Sequence, residues 1–373
     1  MPGKAQQRGG NRAGVVAIIG RPNVGKSTLM NRLLRQKVSI VSPKPQTTRN
    51  RIAGIWTSGR AQVIFLDTPG IHRAGSLFNR AMVRAALATL TEVDLVLWMV
   101  DATAPETDDD ALIAENLKEV RTPVLLAINK VDLVPKAALL PIIDRLRNVR
   151  EFAEIVPISC TAGDNLERLE QILVGLLPPG EPLYPPEQLT DQPERFIIGE
   201  LIREQVFRLL HEEIPYAVAV EVEMVRERGA GQAPFAGQPR GEEGRAGAAE
   251  AVPEGPGVFP EALEEGAVPA GAVRAASEDR DGEDGPSSPG GSDAGPGERP
   301  LVDILATLYV EKDSQKGILI GAGGQMLKRI GERARREIEV LLGARVFLKL
   351  WVKVRPKWRQ SEEELRRLGY LQH

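Results

Sequence analysis

Residues 20–27 read GRPNVGKS and have the composition and spacing of a phosphate-binding loop. The segment fits the pattern G-x-x-x-x-G-K-[ST], follows the apolar run Val15–Ile19 and opens an amphipathic stretch, which is the context in which this pattern is specific. The two glycines let backbone N–H groups face phosphate oxygens, Lys26 supplies a positive charge, and Ser27 supplies a hydroxyl for Mg²⁺. The residues of this segment expected to form the nucleotide site are Gly20, Arg21, Pro22, Asn23, Val24, Gly25, Lys26, Ser27 and Thr28.

A second segment, Asn129-Lys130-Val131-Asp132, indicates which base accompanies the phosphates. The Asp132 carboxylate can accept hydrogen bonds from the N1–H and 2-amino groups of guanine, a pair of donors that adenine lacks. A site built around such bonds rejects analogues without them, because its acceptor would go unpaired. Ser159 and Cys160 follow the apolar run 155–158 as a further base-contacting loop. The chain is therefore predicted to bind GTP, with base contacts from Asn129, Lys130, Asp132, Ser159 and Cys160.

Two further segments carry residues expected to respond to the γ-phosphate. Asp67 to Gly70 follow the apolar run Gln62–Leu66, so Asp67 can hold Mg²⁺ through water and the Gly70 N–H can reach the γ-phosphate. Within the segment Gln46–Arg49, either threonine can complete the Mg²⁺ shell, and the sequence does not choose between them. The expected metal ligands are Ser27, Thr47 or Thr48, and Asp67. The expected catalytic residues are Lys26, Thr47, Thr48, Asp67 and Gly70, and the nucleotide site also includes Thr68, Pro69 and Ile71.

The residue after Gly70 is Ile71, whose apolar side chain cannot polarise water. We therefore expect slow intrinsic GTP hydrolysis, with the attacking water ordered by the backbone of the two segments that respond to the γ-phosphate. A monovalent cation, K⁺, near Asn23 is hypothesised to help the backbone in this role.

These motifs need a scaffold that brings distant segments to one edge. Short apolar runs alternate with amphipathic stretches, which predicts an α/β domain with a mostly parallel sheet and helices on both faces. Ligands bind at the carboxyl ends of the strands in such sheets, and the motifs follow predicted strands. The predicted strands are Val15–Ile19, Ile52–Trp56, Gln62–Leu66, Asp94–Val100, Val124–Ile128 and Ile155–Ile158, and the predicted helices include Ser27–Arg35, Asp108–Val120 and Asn165–Leu177.

A second type of motif, Gly321-Ala322-Gly323-Gly324, lies between the strand-like run Gly317–Ile320 and a basic stretch. In KH domains a GXXG loop clamps the backbone of about four single-stranded nucleotides. A bare GXXG is common in turns and helix caps, but the predicted order of helix, strand, strand, GXXG, two helices around 325–342 and strand is that of an α+β type II KH domain. The expected RNA-binding residues are Gly321, Ala322, Gly323, Gly324, Lys328, Arg329, Lys353 and Arg355.

Charge is divided unevenly along the chain. Residues 301–373 hold 15 Lys/Arg and 9 Asp/Glu, a net charge of +6 that is typical of regions binding polyanions. Trp351 and Trp358 lie among these cations. For Trp351 the sequence leaves two roles possible, stacking on an RNA base and packing in the core. Residues 229–299 hold 14 Asp/Glu and 5 Arg, a net charge of −9.

The composition divides the chain into a flexible tail at 1–13, a GTPase domain at 14–180, a proline-rich linker at 181–192 and a KH domain at 193–373. An acidic segment rich in Gly, Pro and Ala interrupts the KH domain at about 226–300, and its low apolar content predicts disorder. The favoured interpretation of this acidic segment is a loop expansion that the domain tolerates. The alternative is that the segment competes weakly with RNA for the basic face of the domain. No apolar window has the ~18 residues of a membrane span, no secretory signal is found, and Cys160 is the single cysteine. A cytoplasmic protein is expected, and peripheral membrane contact is left open.

The segments GRPNVGKST, PQTTR, DTPGIH, NKVD and PISCTAG, with LWVKV and LRRLGY near the C-terminus, resemble the Era family of bacterial GTPases. The resemblance covers nearly all of the chain outside 1–13 and about 226–300. It implies Mg²⁺-dependent GTP hydrolysis and a KH domain that binds the 3′ end of 16S ribosomal RNA during small (30S) subunit assembly. Cys160 stands where alanine is usual, and Ile71 agrees with the family pattern.

Two alternatives remain at this point. One is a tRNA-modification type of GTPase with another RNA partner, or a tandem-domain ribosomal GTPase. The single phosphate loop argues against the tandem form, and the GXXG segment argues against both. The other is an RNA-binding module in which GTP is a structural ligand, against which Asp67 and Thr47 or Thr48 argue.

Overall fold

The computed structural model describes residues 11–42, 44, 49, 51–59, 61–72, 83, 86, 90, 92–228 and 300–370. Its N-terminal part is built on strands β1 Arg12–Ile19, β2 Ile52–Ser58, β3 Ala61–Asp67, β4 Leu95–Asp101, β5 Val124–Asn129 and β6 Glu154–Pro157. They form one sheet in the order β2-β3-β1-β4-β5-β6. β2 is antiparallel to β3, and the other neighbours are parallel. This order brings the ends of β1, β3, β4 and β5 to one edge.

Helices pack on both faces of this sheet, as the sequence predicts. On one face, Val16 and Ile18 of β1 pack with α1 (Lys26–Leu34) and α4 (Leu166–Leu176). On the other, Ala17 and Ile19 pack with α2 (Asp108–Leu117) and α3 (Lys136–Leu146). Because successive strand residues point to opposite faces, a sheet covered on both sides needs uninterrupted apolar strands.

The C-terminal part is a second α+β unit. Its elements are α5 Glu194–Leu209, α6 Ile214–Ala217, β7 Ala219–Arg228, β8 Leu301–Val310, α7 Asp313–Ile320, α8 Gln325–Leu342, β9 Arg345–Val354 and α9 Glu362–Arg367. The sheet order is β7-β8-β9, with β7 antiparallel and β9 parallel to β8. Ile304, Ala306 and Leu308 of β8 pack with α5 and α8 in one core. This arrangement agrees with the predicted α+β unit.

Two predictions about the GXXG segment were wrong in detail. The apolar run 317–320 is the last turn of α7 rather than a strand-like run, so the glycine loop connects two helices. The residues after it form one helix of 18 residues rather than two short ones. Leu327, Ile330, Ala334 and Ile338 are buried at helical spacing along its length, which keeps that helix continuous.

The ends of two predicted flexible segments belong to strands. Arg12 and Ala13 lie in β1, where the Arg12 guanidinium donates to the carbonyl oxygens of Gly175 and Leu177. Residues 226–228, at the start of the predicted insertion, continue β7 and pair with 301–303 of β8. The tail 1–10 and residues 229–299 lie outside the described residues.

The proline-rich segment 181–192 is packed against the edge of the first sheet. The Gln62 side chain accepts from the backbone N–H groups of Leu183 and Tyr184, at 2.7 and 2.9 Å. Thr190 donates to the Ala53 carbonyl at 2.6 Å, and Ile55 N–H donates to the Leu189 carbonyl at 2.8 Å. These bonds hold the connection to the C-terminal domain in a defined position.

A buried ion-pair cluster closes the strand pair from which residues 229–299 emerge. Asp303 is 1% exposed and accepts from Arg228 Nε at 2.9 Å and from Arg226 at 3.3 Å. We expect Asp303→Asn to lower the free energy of unfolding by about 2–3 kcal/mol, because it removes the buried carboxylate charge that Arg226 and Arg228 share. Urea denaturation measures this effect. The exposed pair of Asp144 and Arg147 is the control, and Asp144→Asn should change stability by less than about 0.5 kcal/mol. Equal effects would contradict the prediction.

Candidate functional site

The phosphate loop lies between β1 and α1, at the edge where the parallel strands end. Lys26 is 6% exposed, and its Nζ donates to the carbonyl oxygens of Gly20 and Arg21, both at 3.0 Å. Gly25 has φ of 106°, and a Cβ placed there would stand 2.3 Å from the Asn129 amide nitrogen. Glycine is therefore required at this position both by its backbone angle and by the packing of the base-binding loop.

Burial lowers the pKa of Lys26 to about 8, although Asp67 opposes this shift. Bound phosphates favour the ammonium form, so nucleotide binding raises this pKa and takes up a proton at alkaline pH. Affinity is therefore lost as the pH rises through the pKa of the free protein. We expect the affinity for GDP to fall about fourfold between about pH 7 and pH 8.5, measured by fluorescence titration.

Lys26→Arg is the control for this pH dependence, because arginine stays protonated throughout that range. Its affinity should be nearly independent of pH, whatever its absolute value. An equal decline in Lys26→Arg would assign the pH dependence to another group.

Ser27 and Asp67 form an oxygen-donor pair beside the phosphate loop. Ser27 Oγ donates to Asp67 Oδ2 at 2.6 Å, and Ser39 Oγ donates to the same oxygen at 2.9 Å. Asp67 is fully buried at the end of β3. A carboxylate and a hydroxyl next to a phosphate loop are the donors that Mg²⁺ prefers. These residues therefore fit Mg²⁺, and Ser39 is a contact that the sequence analysis missed.

The segment after β3 lies close against the phosphate loop. A Cβ on Gly70 would stand 2.8 Å from Pro22, and Ile71 N–H donates to the Gly20 carbonyl at 3.2 Å. The Ile71 side chain is fully buried in the core below the sheet edge, and Thr68 donates to the Ile18 carbonyl. Ile71 thus anchors this segment without presenting a polar group to water, as the sequence predicts. Thr47 and Thr48 lie outside the described residues.

Asn129 ties the base-binding loops to the phosphate loop. Its amide donates to the Val24 carbonyl at 2.7 Å, and its oxygen accepts from Cys160 N–H at 3.0 Å. Cys160 is 3% exposed, and burial raises the pKa of its thiol to about 12. Cys160 therefore acts through its backbone as a small apolar residue. Ser159 orders the same loop by accepting from Ala162 N–H at 2.9 Å.

Lys130 is held by a residue that the sequence analysis missed. Lys130 has φ of 66°, and its Nζ contacts Asp101 Oδ2 at 2.6 Å, with Arg21 3.4 Å from the same oxygen. Burial opposes ionisation of Asp101, but bonds from Lys130 and Thr103 outweigh it and lower the pKa of Asp101. Asp132, two residues after Lys130 in the chain, is exposed. Asp101 ends β4 outside any motif, so no sequence signal identified it.

The GXXG loop stands between α7 and α8 with its central residues exposed. Gly321 has φ of 75°, and a Cβ there would stand 2.7 Å from Met326 Cβ. Gly324 N–H donates to the Gly321 carbonyl at 3.1 Å, which closes the turn. Ala322 and Gly323 are exposed, so the backbone here is open to a phosphate group.

The basic residues predicted to bind RNA differ in their surroundings. Lys328 and Arg329 are exposed on the first turns of α8. Lys353 is half-buried on β9. Arg355 is paired with Glu364 at 3.0 Å and lies over the Tyr309 ring, so its charge is already partly matched. RNA contact by Arg355 would have to compete with Glu364.

Both tryptophans near these cations are buried. Trp358 is fully buried and donates to the Ala217 carbonyl at 3.0 Å. Trp351 is 6% exposed, with Lys349 5.1 Å above its ring. Their burial favours core packing over base stacking.

Within the described part of the chain, the helices are too short or too polar to cross a membrane.

Comparison with known families matches both halves of the chain. Residues 15–130 match the family described as 50S ribosome-binding GTPase, and residues 294–359 match the KH domain family. GTPase Era of Geotalea uraniireducens is 43% identical over 359 residues, covering 96% of this chain and 98% of that protein. GTPase Era of Lacticaseibacillus paracasei is 42% identical over 360 residues, covering 96% and 97%.

Two solved structures are similar along nearly the whole chain. The crystal structure of Era in complex with MgGDPNP and nucleotides 1506–1542 of 16S ribosomal RNA is 35% identical, with a TM-score of 0.76. That of an Aquifex aeolicus Era variant bound to GDP·AlF4⁻ is also 35% identical, with a TM-score of 0.75. Each comparison covers 97% of this chain and 100% of the solved chain.

Proposed function

Because this chain belongs to the Era family of GTPases, we propose that it is a GTP-hydrolysing switch that binds the 3′ end of 16S ribosomal RNA and assists small (30S) ribosomal subunit assembly. The observation that supports this most strongly is its similarity to the Era complex with MgGDPNP and a 16S ribosomal RNA fragment, over all of that chain. The phosphate loop and the GXXG loop are both formed in the present structure, which supports the proposal.

The nucleotide site supports hydrolysis of GTP with Mg²⁺ bound. Ser27 and Asp67 would hold Mg²⁺, with Thr47 or Thr48 as a further ligand, and Mg²⁺ would neutralise charge on the phosphates. Lys26 stabilises charge on the β- and γ-phosphates, and Gly70 presents its N–H toward the γ-phosphate. Asp132 selects guanine, while Asn129 and Asp101 hold the loop and Lys130 in place.

We propose that K⁺ beside Asn23 aids hydrolysis. Ile71, the residue after Gly70, is buried in the core and cannot orient the attacking water. Replacing K⁺ by Na⁺ at constant ionic strength should lower the hydrolysis rate. An unchanged hydrolysis rate would contradict a role for K⁺.

The RNA site would use the open backbone of residues 321–324 to approach phosphate, with Lys328 and Arg329 one turn further along α8. Lys353 and Arg355 are secondary contacts, since Arg355 is engaged by Glu364. Because its target is ribosomal RNA, we place the protein in the cytoplasm. Peripheral membrane contact would add a second location, for which a vesicle-binding assay is the test.

The experiment that tests this function measures binding of a short RNA copied from the 3′ end of 16S ribosomal RNA. The RNA is titrated with GTP analogue, GDP or no nucleotide, and a scrambled RNA at the same salt concentration is the control. Sequence-selective binding that strengthens with the analogue is expected. Binding that depends on neither the RNA sequence nor the nucleotide would contradict the ribosomal role. A multiple-turnover phosphate-release assay would distinguish a GTPase from a protein that holds GTP as a structural ligand.

A further inference from the structure

The segment 37–41, which follows α1, supplies a second hydroxyl to the carboxylate of the proposed Mg²⁺ site. Ser39 is 1% exposed, and its Oγ donates to Asp67 Oδ2 at 2.9 Å. Ser27 Oγ donates to the same oxygen at 2.6 Å. Rotation of the carboxylate about its Cβ–Cγ bond would stretch both hydrogen bonds, so the two hydroxyls together hold it in one orientation.

Ser39 is attached to the helix that begins at the phosphate loop. The Asn31 side-chain oxygen accepts from the backbone N–H groups of Val38 and Ser39, both at 3.0 Å, and its amide donates to the Ser39 carbonyl at 2.6 Å. Asn31 lies four residues after Ser27 in α1, so the two side chains are on the same side of that helix. The two hydroxyls that bind Asp67 therefore share one support.

The apolar neighbours of Ser39 restrict its backbone further. Val38 and Ile40, on either side of it, are 4% and 1% exposed. Val38 packs in the same core as Met30 and Leu34 of α1. A buried hydroxyl needs a hydrogen-bond partner, and the fold directs the hydroxyl of this serine at the carboxylate that ends β3.

The C-terminal domain holds the segment 37–41 on both sides of Ser39. Lys37 contacts Glu204 of α5 and Glu337 of α8. Val41 N–H donates to Glu204 Oε1 at 3.4 Å. The Glu204 side chain is fully buried, so its contacts with the segment are shielded from water and salt.

Both carboxylates are fixed within the C-terminal domain. Glu204 accepts from Arg208 at 2.7 Å, and Glu337 accepts from the Gln205 amide at 2.9 Å. Helices α5 and α8, which carry these four residues, pack in one core. A series of direct contacts therefore runs from α5 through the segment 37–41 to Asp67.

We propose that Ser39 is a positioning residue for Mg²⁺ binding, and that the C-terminal domain supports it through Glu204. The role of Ser39 is to orient the Asp67 carboxylate rather than to bind the metal. The C-terminal domain thereby raises the affinity of the nucleotide site for Mg²⁺ without contributing a ligand. The inference rests on the proposed function, in which Asp67 holds Mg²⁺, and it does not require RNA.

The first test measures the affinity of the full-length protein for a fluorescent, non-hydrolysable GTP analogue over a range of free Mg²⁺ concentrations, without RNA. The concentration at half of the Mg²⁺ effect gives the apparent affinity for the metal. Ser39→Ala removes the hydroxyl with little change in volume, and we expect the apparent Mg²⁺ affinity to fall about tenfold, as is typical when a group that orients a metal ligand is lost. Affinity for the analogue in EDTA should stay within about twofold of wild type, which shows that the nucleotide site is folded.

Ser42→Ala is the matched control, because it removes the same hydroxyl three residues further along the chain. Ser42 Oγ accepts from Lys44 N–H at 3.1 Å. This variant should retain the Mg²⁺ affinity of wild type. An equal loss in both serine variants would overturn the proposal, and so would an unchanged Mg²⁺ affinity in Ser39→Ala.

Glu204→Gln tests the support from the C-terminal domain. Glutamine keeps the shape but removes the charge that binds Lys37, and we expect the apparent Mg²⁺ affinity to fall about threefold. If Glu204 acts through Ser39, the double variant should show only the loss of Ser39→Ala, whereas independent effects would multiply. Multiplied losses would overturn the link from the C-terminal domain.

Glu200→Gln is the control for lost stability, because it removes another buried carboxylate of α5, one that pairs with Arg203. It should leave the Mg²⁺ affinity unchanged, and a loss equal to that of Glu204→Gln would also overturn the link.

The wild-type protein separates this inference from the proposed function. If its affinity for the analogue did not depend on Mg²⁺, the proposed Mg²⁺ site would be contradicted, and this inference with it. If wild type depended on Mg²⁺ and Ser39→Ala kept that dependence in full, the inference alone would be overturned.

Discussion

Asp132→Asn is expected to lower the affinity for GTP by about 10²- to 10³-fold, which corresponds to about 3–4 kcal/mol. Asp132 is exposed in the present structure, and its carboxylate would accept two charge-assisted bonds from guanine N1–H and the 2-amino group. Asparagine keeps the shape but removes the charge, and it presents an N–H donor toward one of two guanine donors. The loss should be similar for GTP and GDP, since both carry the same base.

The same substitution should improve binding of xanthine nucleotides, in which a carbonyl oxygen replaces the 2-amino group of guanine. The asparagine N–H can donate to that oxygen, so the preference between bases should reverse. Competition titrations with GTP, ITP and XTP measure this change. Asp164→Asn, in the neighbouring loop, is the control and should leave base preference unaltered. Retention of guanine preference in Asp132→Asn would contradict the assigned role of Asp132.

The double substitution of Ala322→Asp with Gly323→Asp is expected to weaken binding of the ribosomal RNA by about 10²-fold. Both residues are exposed in the GXXG loop, so two carboxylates would stand where the RNA backbone must approach. Gly323 has φ of 58°, a region that Asp and Asn tolerate better than most residues. Gly321 and Gly324 remain, so the turn itself is retained.

Ala322→Asn with Gly323→Asn is the matched control, because it adds nearly the same volume without charge. RNA titrations at one salt concentration should show a much smaller loss for this pair than for the aspartates. GTP hydrolysis measured without RNA should be unchanged in both variants, since neither substituted residue belongs to the nucleotide site. Equal RNA affinity for the aspartate variant and the wild type would exclude the GXXG loop from the interface.

Local sequence patterns predicted the secondary structure well where periodicity was strong. The helix, the two strands and the final strand that the sequence predicts around the GXXG loop are present as α5, β7, β8 and β9. Helix α7 was missed because its eight residues include Gly317 and end in an apolar run that also suits a strand.

The burial of α5 is an example of what periodicity does not reveal. Eleven consecutive residues, from Ile197 to Phe207, are buried, including Glu200, Arg203 and Glu204. A helix on a protein surface buries one stripe, whereas this helix is covered by the KH core on one side and by the loop bearing Lys37 and Arg49 on the other. Arg203 pairs with Glu200 at 2.7 Å, so the buried charges are matched.

The sequence by itself determined the nucleotide site, the guanine preference and the GXXG loop. Each of these depends on short contiguous segments whose backbone and neighbouring side chains carry the chemistry. Its family resemblance extended this to the ribosomal RNA partner. The tertiary structure alone decided that Asp101 holds Lys130, that Ser39 joins Asp67, and that Trp351 and Trp358 are buried. It also decided that Arg49 binds Val218, 169 residues away in the chain. Contacts at such separation depend on how two domains pack, and no local spacing of residue types encodes that packing.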